Sequence, residues 1–379
     1  MKSIKHYINA VQNRTLSYVN NRRGWKTDRK IVVIESDDWG SIRMPSKEVF
    51  NTLLKKGISV DKCAFNKFDS LASKDDMELL FSLLLKYRDK NNNPAVITAN
   101  SVIANPDFEK IKQSDYTEYH YELFTETLKR KTDNNFDLWK DGINNKVFYP
   151  QFHGREHLNI NRWLKFLRSG SKELLTAFEH EVFGISTTIS KENNPSFMAA
   201  LSVDDERDYE SHSKIIEEGY RLFTDLFGYD SKSFIAPNYT WHPMHEDVLS
   251  KLGVKYLQGT SAQHVPLPSN VQKYKYNYTG ELNMHNQIYM VRNCLFEPSV
   301  SPNKDWVTSC FNEINRSFLR NNPVIICSHR LNFIGSIIPE NRDKNLILLD
   351  QLLKKITTKW PEVEFMTSDH LGKLIEKKS

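Results

Sequence analysis

Three short constellations in the 379-residue sequence carry the residue types that hydrolytic chemistry needs. The first is Ile31-Val32-Val33-Ile34-Glu35-Ser36-Asp37-Asp38-Trp39-Gly40, an apolar run that ends in three acids within four positions. Two adjacent Asp on extended backbone point to opposite sides, so one can ligate a metal while the other stands at the reaction centre. The competing use is a loop Asp pair that caps the next helix. The second is Gln151-Phe152-His153-Gly154-Arg155-Glu156-His157, again directly after an apolar run. An H-x3-H spacing brings both imidazoles to one side of a helical turn, as two cis ligands of one metal require. Two His and one carboxylate leave open positions for water and substrate, which suits hydrolytic Zn2+ and equally non-haem Fe(II). The third is Pro323-Val324-Ile325-Ile326-Cys327-Ser328-His329-Arg330, where His329 is placed to protonate a leaving group. Its plainer use is a hydrogen-bonded histidine at the rim.

Such side chains need rigid elements behind them. Short apolar runs at Ile31–Ile34, Ala95–Thr98, Val147–Tyr149, Phe234–Ala236, Val254–Leu257, Ile288–Val291, Val324–Cys327 and Val363–Met366 predict strands of a parallel sheet covered on both faces. Between them lie helical patterns. Ser73 with Asp76 forms a capping box before Met77–Tyr87, Glu210–Phe227 stops at Gly228, and Trp306–Leu319 and Lys344–Ile356 repeat the 3.6-residue spacing. Alternating strands and helices mean βαβ units. The expected fold is therefore α/β, a distorted (β/α) barrel of seven or eight parallel strands, with all three constellations at strand C-terminal ends, where barrels place their active sites. The uneven strand intervals leave insertions near 100–146 and 186–208, in one domain spanning 30–379.

Together the Asp pair, the H-x3-H and the late strand-end His resemble the polysaccharide deacetylase (NodB-like) family, metal-dependent hydrolases that remove N-acetyl groups from glycans on a distorted (β/α) barrel. The family's T-F-D-D-G stands here as Glu35-Ser36-Asp37-Asp38-Trp39, which implies Asp37 as general base and Asp38 as metal ligand. Its H-[ST]-x-x-H stands as His153 to His157, implying the other two ligands. Its F-R-P-P-Y-G stands as Phe234-Ile235-Ala236-Pro237-Asn238-Tyr239, and its L-x-H as Cys327-Ser328-His329, implying His329 as general acid. Ile235 occupies the place of the arginine that steadies the base. Arg292, at the end of Ile288–Val291, is the candidate to reach the site from another strand. The family's D-x-x-D-W has no clear counterpart; Arg292-Asn293-Cys294-Leu295-Phe296-Glu297-Pro298 stands roughly in its place. The likeness spans about residues 30–372.

The resemblance implies hydrolysis of an acylated sugar or glycan with a divalent cofactor, Zn2+ first and Mn2+, Co2+, Ni2+ or Fe2+ as other candidates. A backbone N–H near Asn238 or Tyr239 is the expected oxyanion donor. Trp39, Asn238, Tyr239 and Trp241 are the expected substrate contacts, the aromatic ones by stacking on sugar rings. An O-acetyl esterase or a glycosidase on the same barrel is the alternative within the class; a non-catalytic glycan-binding relative is the alternative outside it.

Composition sets the remaining bounds. Hydrophobic residues at 39% and charged residues at 26% suit a soluble globular chain. No apolar stretch approaches the roughly 20 residues of a spanning helix. Four cysteines without a C-x-x-C pair, and no visible secretory leader, predict a reduced, cytoplasmic protein. That location predicts a nucleotide- or lipid-linked sugar precursor of surface polysaccharide as substrate. Residues 1–30 hold eight Lys/Arg against Asp28, a local +7, so the net +5 leaves −2 for the rest. A slightly acidic body without a nucleic-acid motif excludes nucleic-acid binding. The basic segment 1–29, with Ile4, Ile8, Val11 and Tyr18 at helical spacing, predicts a helical arm, packed on the body or in peripheral contact with anionic membrane.

Overall fold

A computed structural model describes residues 23–192, 194–269 and 271–377. The helical spacing expected at Ile4–Tyr18 lies outside them. Nine strands form the main sheet: β1 (Ile31–Trp39), β2 (Ile97–Ser101), β3 (Phe148–Phe152), β4 (Ser233–Ile235), β5 (Tyr256–Gly259), β6 (Ile288–Val291), β7 (Cys294–Leu295), β8 (Val324–His329) and β9 (Glu364–Met366). Neighbours run β6-β5-β4-β3-β2-β1-β8-β7, every pair parallel, and β9 pairs with the start of β1. The two ends of this path are halves of one segment, Ile288 to Leu295. β6 bonds to β5, and two residues later β7 bonds to β8, with Asn293 exchanging hydrogen bonds with Ile325 at 3.0 and 2.9 Å. That single stretch of chain joins the two ends of the hydrogen-bonded path.

Each apolar run expected as a strand is one, because a strand buried on both faces has no polar positions to alternate with. β7, the antiparallel ribbon Ala262–Leu267 with Val271–Tyr276, and the short pair Ala104–Pro106 with Tyr121–Leu123 were not among the expected strands. The helix ends follow local chemistry. Ser73 and Asp76 make the reciprocal cap of Lys74–Leu85, and Arg207–Phe227 ends on left-handed Gly228. The helix expected at Lys344–Ile356 is longer, Pro339–Lys359, because Pro339 opens it.

The two-residue period of β1 sorts its side chains. Val32 and Ile34 face outward into the layer packed by helices, with Leu80, Leu84 and Leu353. Ile31 and Val33 face inward, against Ile288, Met290 and Ile325. The helix Ser368–Glu376 crosses the end where the strands begin, placing Leu371 and Ile375 against the same residues. The inward face continues as Glu35 and Asp37, so the interior changes from apolar to charged along one strand. Residues 25–29 also pack on this lower end: Trp25 N–H donates to Thr279 O, Thr27 N–H to Asn321 O, and Arg29 forks onto Glu364.

Candidate active site

Asp37 sits at the upper end of β1, opposite His329 in the β1–β8 register. Arg292, leaving β6 at the closing seam, clamps it from two directions, Nη1 to Oδ2 at 2.7 Å and Nη2 to Oδ1 at 2.6 Å. The same guanidinium donates through Nε to Glu35 Oε2 at 2.6 Å, while Ser368 Oγ donates to Glu35 Oε1 at 2.7 Å and Asn100 Nδ2 to Asp37 Oδ1 at 2.7 Å. Burial alone would raise the Asp37 carboxyl, but Arg292 outweighs it and holds the group well below the usual range. Glu35 moves the other way, pushed up by burial that the shared arginine does not offset. The arginine on Asp37 is thus Arg292, just past the end of a different strand from that of Ile235.

Asp38 does not continue the extended strand, as the sequence reading expected. Its φ is +73°, and Ser36 to Trp39 on β1 span only Ala99 to Ser101 on β2. This one-residue bulge turns both acids toward the same cavity. It also re-aims Trp39, which leaves the inward face and packs outward against Trp139 and Phe148. Trp39 is 1% exposed and bonded to Ser36, so it is core and not a sugar contact.

His153 and His157 do not sit on a helical turn. They flank an irregular loop in which Gly154 takes φ +110° and the Arg155 carbonyl accepts from Ile103 and Ala104 N–H. The loop still brings both rings to Asp38. His157 Nε2 lies 3.2 Å and His153 Nε2 3.5 Å from Asp38 Oδ1. His153 Nδ1–H donates to the Ile235 carbonyl at 2.8 Å, which leaves Nε2 as the lone-pair nitrogen. Burial pushes the His157 imidazole down to about 3, so it is neutral, while Asp38 is held well below the ordinary carboxylate range despite its burial, with Arg43 as its cation. Asp38 Oδ1 and His153 Nε2 are buried without a hydrogen-bond partner. Three convergent ligand atoms within 4.8 Å, two of them orphaned, fit a divalent ion. Arg43 Nη2 holds the other Asp38 oxygen at 3.2 Å and lies 11% exposed at the cavity wall.

His329 Nε2 stands 3.8 Å from Asp37 Oδ2. Its Nδ1–H donates to Glu297 Oε1 at 2.5 Å, and Asn332 Nδ2 fixes Glu297 Oε2 at 2.8 Å. Burial opposes a charged imidazole, yet Glu297 keeps it protonated well above the ordinary range. Glu297 was not singled out in the sequence; the available signal was an acid shortly after Arg292, in the stretch standing where the D-x-x-D-W would be.

Asp37, Asp38, Arg43, His153, His157 and His329 line a cavity of about 240 Å3, bordered also by residues at 63–66, 184–187 and 196–198. Asn66 ties the first two of these segments together, donating to Gly184 O at 3.0 Å and accepting from Ser186 N–H at 3.1 Å. Asn238 and Tyr239 border the cavity, both with left-handed backbone (φ 54° and 55°). The Tyr239 N–H is committed to Ala236 O at 2.9 Å and so is not the oxyanion donor expected there. Its hydroxyl accepts from Arg292 Nη1 at 3.0 Å. Trp241 is 2% exposed, bonded to Glu246 and packed on Gly259; it too is core. Grooves of about 500 and 570 Å3 meet the cavity at Tyr239. A hollow of about 610 Å3, bordered by Glu364 at the lower end, holds none of these groups.

No protein-family model and no curated protein matches the chain. Solved structures do. One, assigned as a polysaccharide deacetylase from Mycobacterium smegmatis, is similar over 94% of this chain and 93% of that one, at 9% identity and TM-score 0.45. A family 4 carbohydrate esterase from Streptomyces lividans, solved with acetate, is similar over 90% and 95%, at 9% identity and TM-score 0.37. The chain is similar to polysaccharide deacetylases. A 4-alpha-glucanotransferase from Thermococcus litoralis is similar too, over 91% of this chain but 40% of that one, at 11% identity and TM-score 0.45. At such identities these likenesses concern the fold and leave the reaction to the residues.

Proposed function

We propose that the protein is a metal-dependent hydrolase that removes an N-acyl group, acetyl first, from a sugar. The observation that carries this reading is the meeting of three preformed parts in one cavity: an ionised Asp37 clamped by Arg292, the Asp38–His153–His157 trio, and a protonated His329 backed by Glu297. Asp37 and His329 hold opposite protonation states side by side, the arrangement a base and an acid need before substrate arrives. A carboxylate held as low as Asp37 takes a proton only from a water made more acidic, and a divalent ion on Asp38, His153 and His157 would supply that acidity and polarise the acyl carbonyl. Asp37 then receives the proton on Oδ2, which accepts only one hydrogen bond, while Arg292 keeps the carboxyl in place. His329 delivers its own proton to the departing amine, without which an amide leaves poorly.

The cavity volume favours one sugar unit. It equals roughly eight waters at about 30 Å3 each, room for a ring and its acyl group. A nucleotide- or lipid-linked monosaccharide precursor suits such a space, with its carrier in the groove beyond Tyr239. The test is release of acetate from N-acetylated sugar nucleotides and lipid-linked sugars by protein reconstituted with zinc. Release by wild type and not by Asp37→Asn supports the reading. Equal release by both, or release only from O-acetylated sugars, removes it.

A further inference from the structure

Two groups of three metal-ligating side chains converge among the described residues, and the Asp38 trio is one of them. The other is Glu297, Cys327 and His329, whose donor atoms also lie within 4.8 Å of one another. Cys327 and His329 are two apart on β8 and share its inward side. Glu297 arrives from the segment after β7, with Oε1 3.9 Å from Cys327 Sγ and 2.5 Å from His329 Nδ1. Ligands about 2.0–2.3 Å from a tetrahedral zinc stand roughly 3.3–3.8 Å apart. The thiol–carboxylate edge, at 3.9 Å, must close slightly, and the imidazole–carboxylate edge must open by about 1 Å as an ion replaces the shared proton. All three residues border the open groove of about 500 Å3, which gives an ion and a water ligand their path. Arg292 donates to Cys327 Sγ at 3.2 Å, and the arginine's charge is already paired with Glu35 and Asp37.

We propose that Glu297, Cys327 and His329 form a second, inhibitory site for a borderline-soft divalent ion such as zinc or cobalt. Binding releases two protons to solvent, one from the thiol and the one shared by Glu297 and His329. The site is weaker than the Asp38 trio, because filling it breaks an existing ion pair. Its inhibitory effect rests on His329 being the acid of the proposed reaction; ion binding does not.

Titration of the full chain with cobalt tests it. Wild type takes up two equivalents, and the second brings a thiolate-to-cobalt charge-transfer band. Cys327→Ser keeps the first equivalent, loses the band and binds the second roughly tenfold or more weakly. Asp38→Ala retains one equivalent together with the band. Glu297→Gln also weakens the second equivalent, which covers a Cys327→Ser chain that fails to fold. A single equivalent in wild type, a second without the band, or a band that survives Cys327→Ser overturns the site. Excess zinc then slows acetate release by wild type more than by Cys327→Ser; if no acylated sugar is turned over, the cobalt result still decides the binding.

Discussion

Asp37 and Asp38 are neighbours in the chain and differ in almost every contact. Asp37 receives both terminal nitrogens of Arg292 and the amide of Asn100, so its oxygens are occupied by the protein itself. Asp38 has one oxygen on Arg43 and the other without a hydrogen-bond partner, facing the imidazoles of His153 and His157. A buried charge whose hydrogen bonds are complete is finished structure, and a buried set left incomplete is built for something not supplied by the chain. One half of the cavity is therefore held by the protein's own contacts, and the other half presents a ligand set that fits a divalent ion.

Substitutions on the two sides ought to fail differently. Asp37→Asn keeps the shape and loses the charge; acetate release falls on the order of 10²–10⁴-fold while metal content, read by elemental analysis, stays near one equivalent. Arg292→Met strands two buried carboxylates, and chemical denaturation should show a loss of about 3–5 kcal/mol. Arg292→Lys recovers little of it, since an ammonium cannot bridge Glu35 and Asp37 as a fork does. On the incomplete side the effect is conditional: zinc at 100 times its dissociation constant raises wild-type stability by about 2.7 kcal/mol, and Asp38→Ala abolishes that rise. Arg43→Gln has the smallest effect, about 1 kcal/mol on stability, seen chiefly in the metal-free protein where Arg43 is the one cation on Asp38. If Arg43→Gln cost as much as Arg292→Met, the contrast between the two halves would be wrong.

Much of this was legible in the sequence, and the exceptions share a cause. Strands of a parallel barrel announce themselves as short continuous apolar runs, and residues just past their ends are at the rim whatever the loops do. Arg292 could be picked out on that ground. Glu297 could not, because it lies two residues beyond β7 in irregular chain, which leaves no periodic signal. Trp39 was misplaced for a related reason. Side-chain direction along β1 depends on counting residues in twos, and a single bulge at Asp38 resets the count. The irregular path of His153 to His157 likewise follows from its anchoring to Ile103 and Ala104, contacts made across the fold.

The seam from Ile288 to Leu295 has a consequence in time as well as in space. Arg292 is 255 residues from Asp37 and 257 from Glu35, so the clamp belongs to the most non-local contacts of the chain. Such contacts form late, after the intervening loops have been closed. Until the seam docks, Asp37 and Glu35 lack the counter-charge that offsets their burial in the finished fold. The buried carboxylate pair and its arginine are therefore completed only in the step that joins the two ends of the sheet.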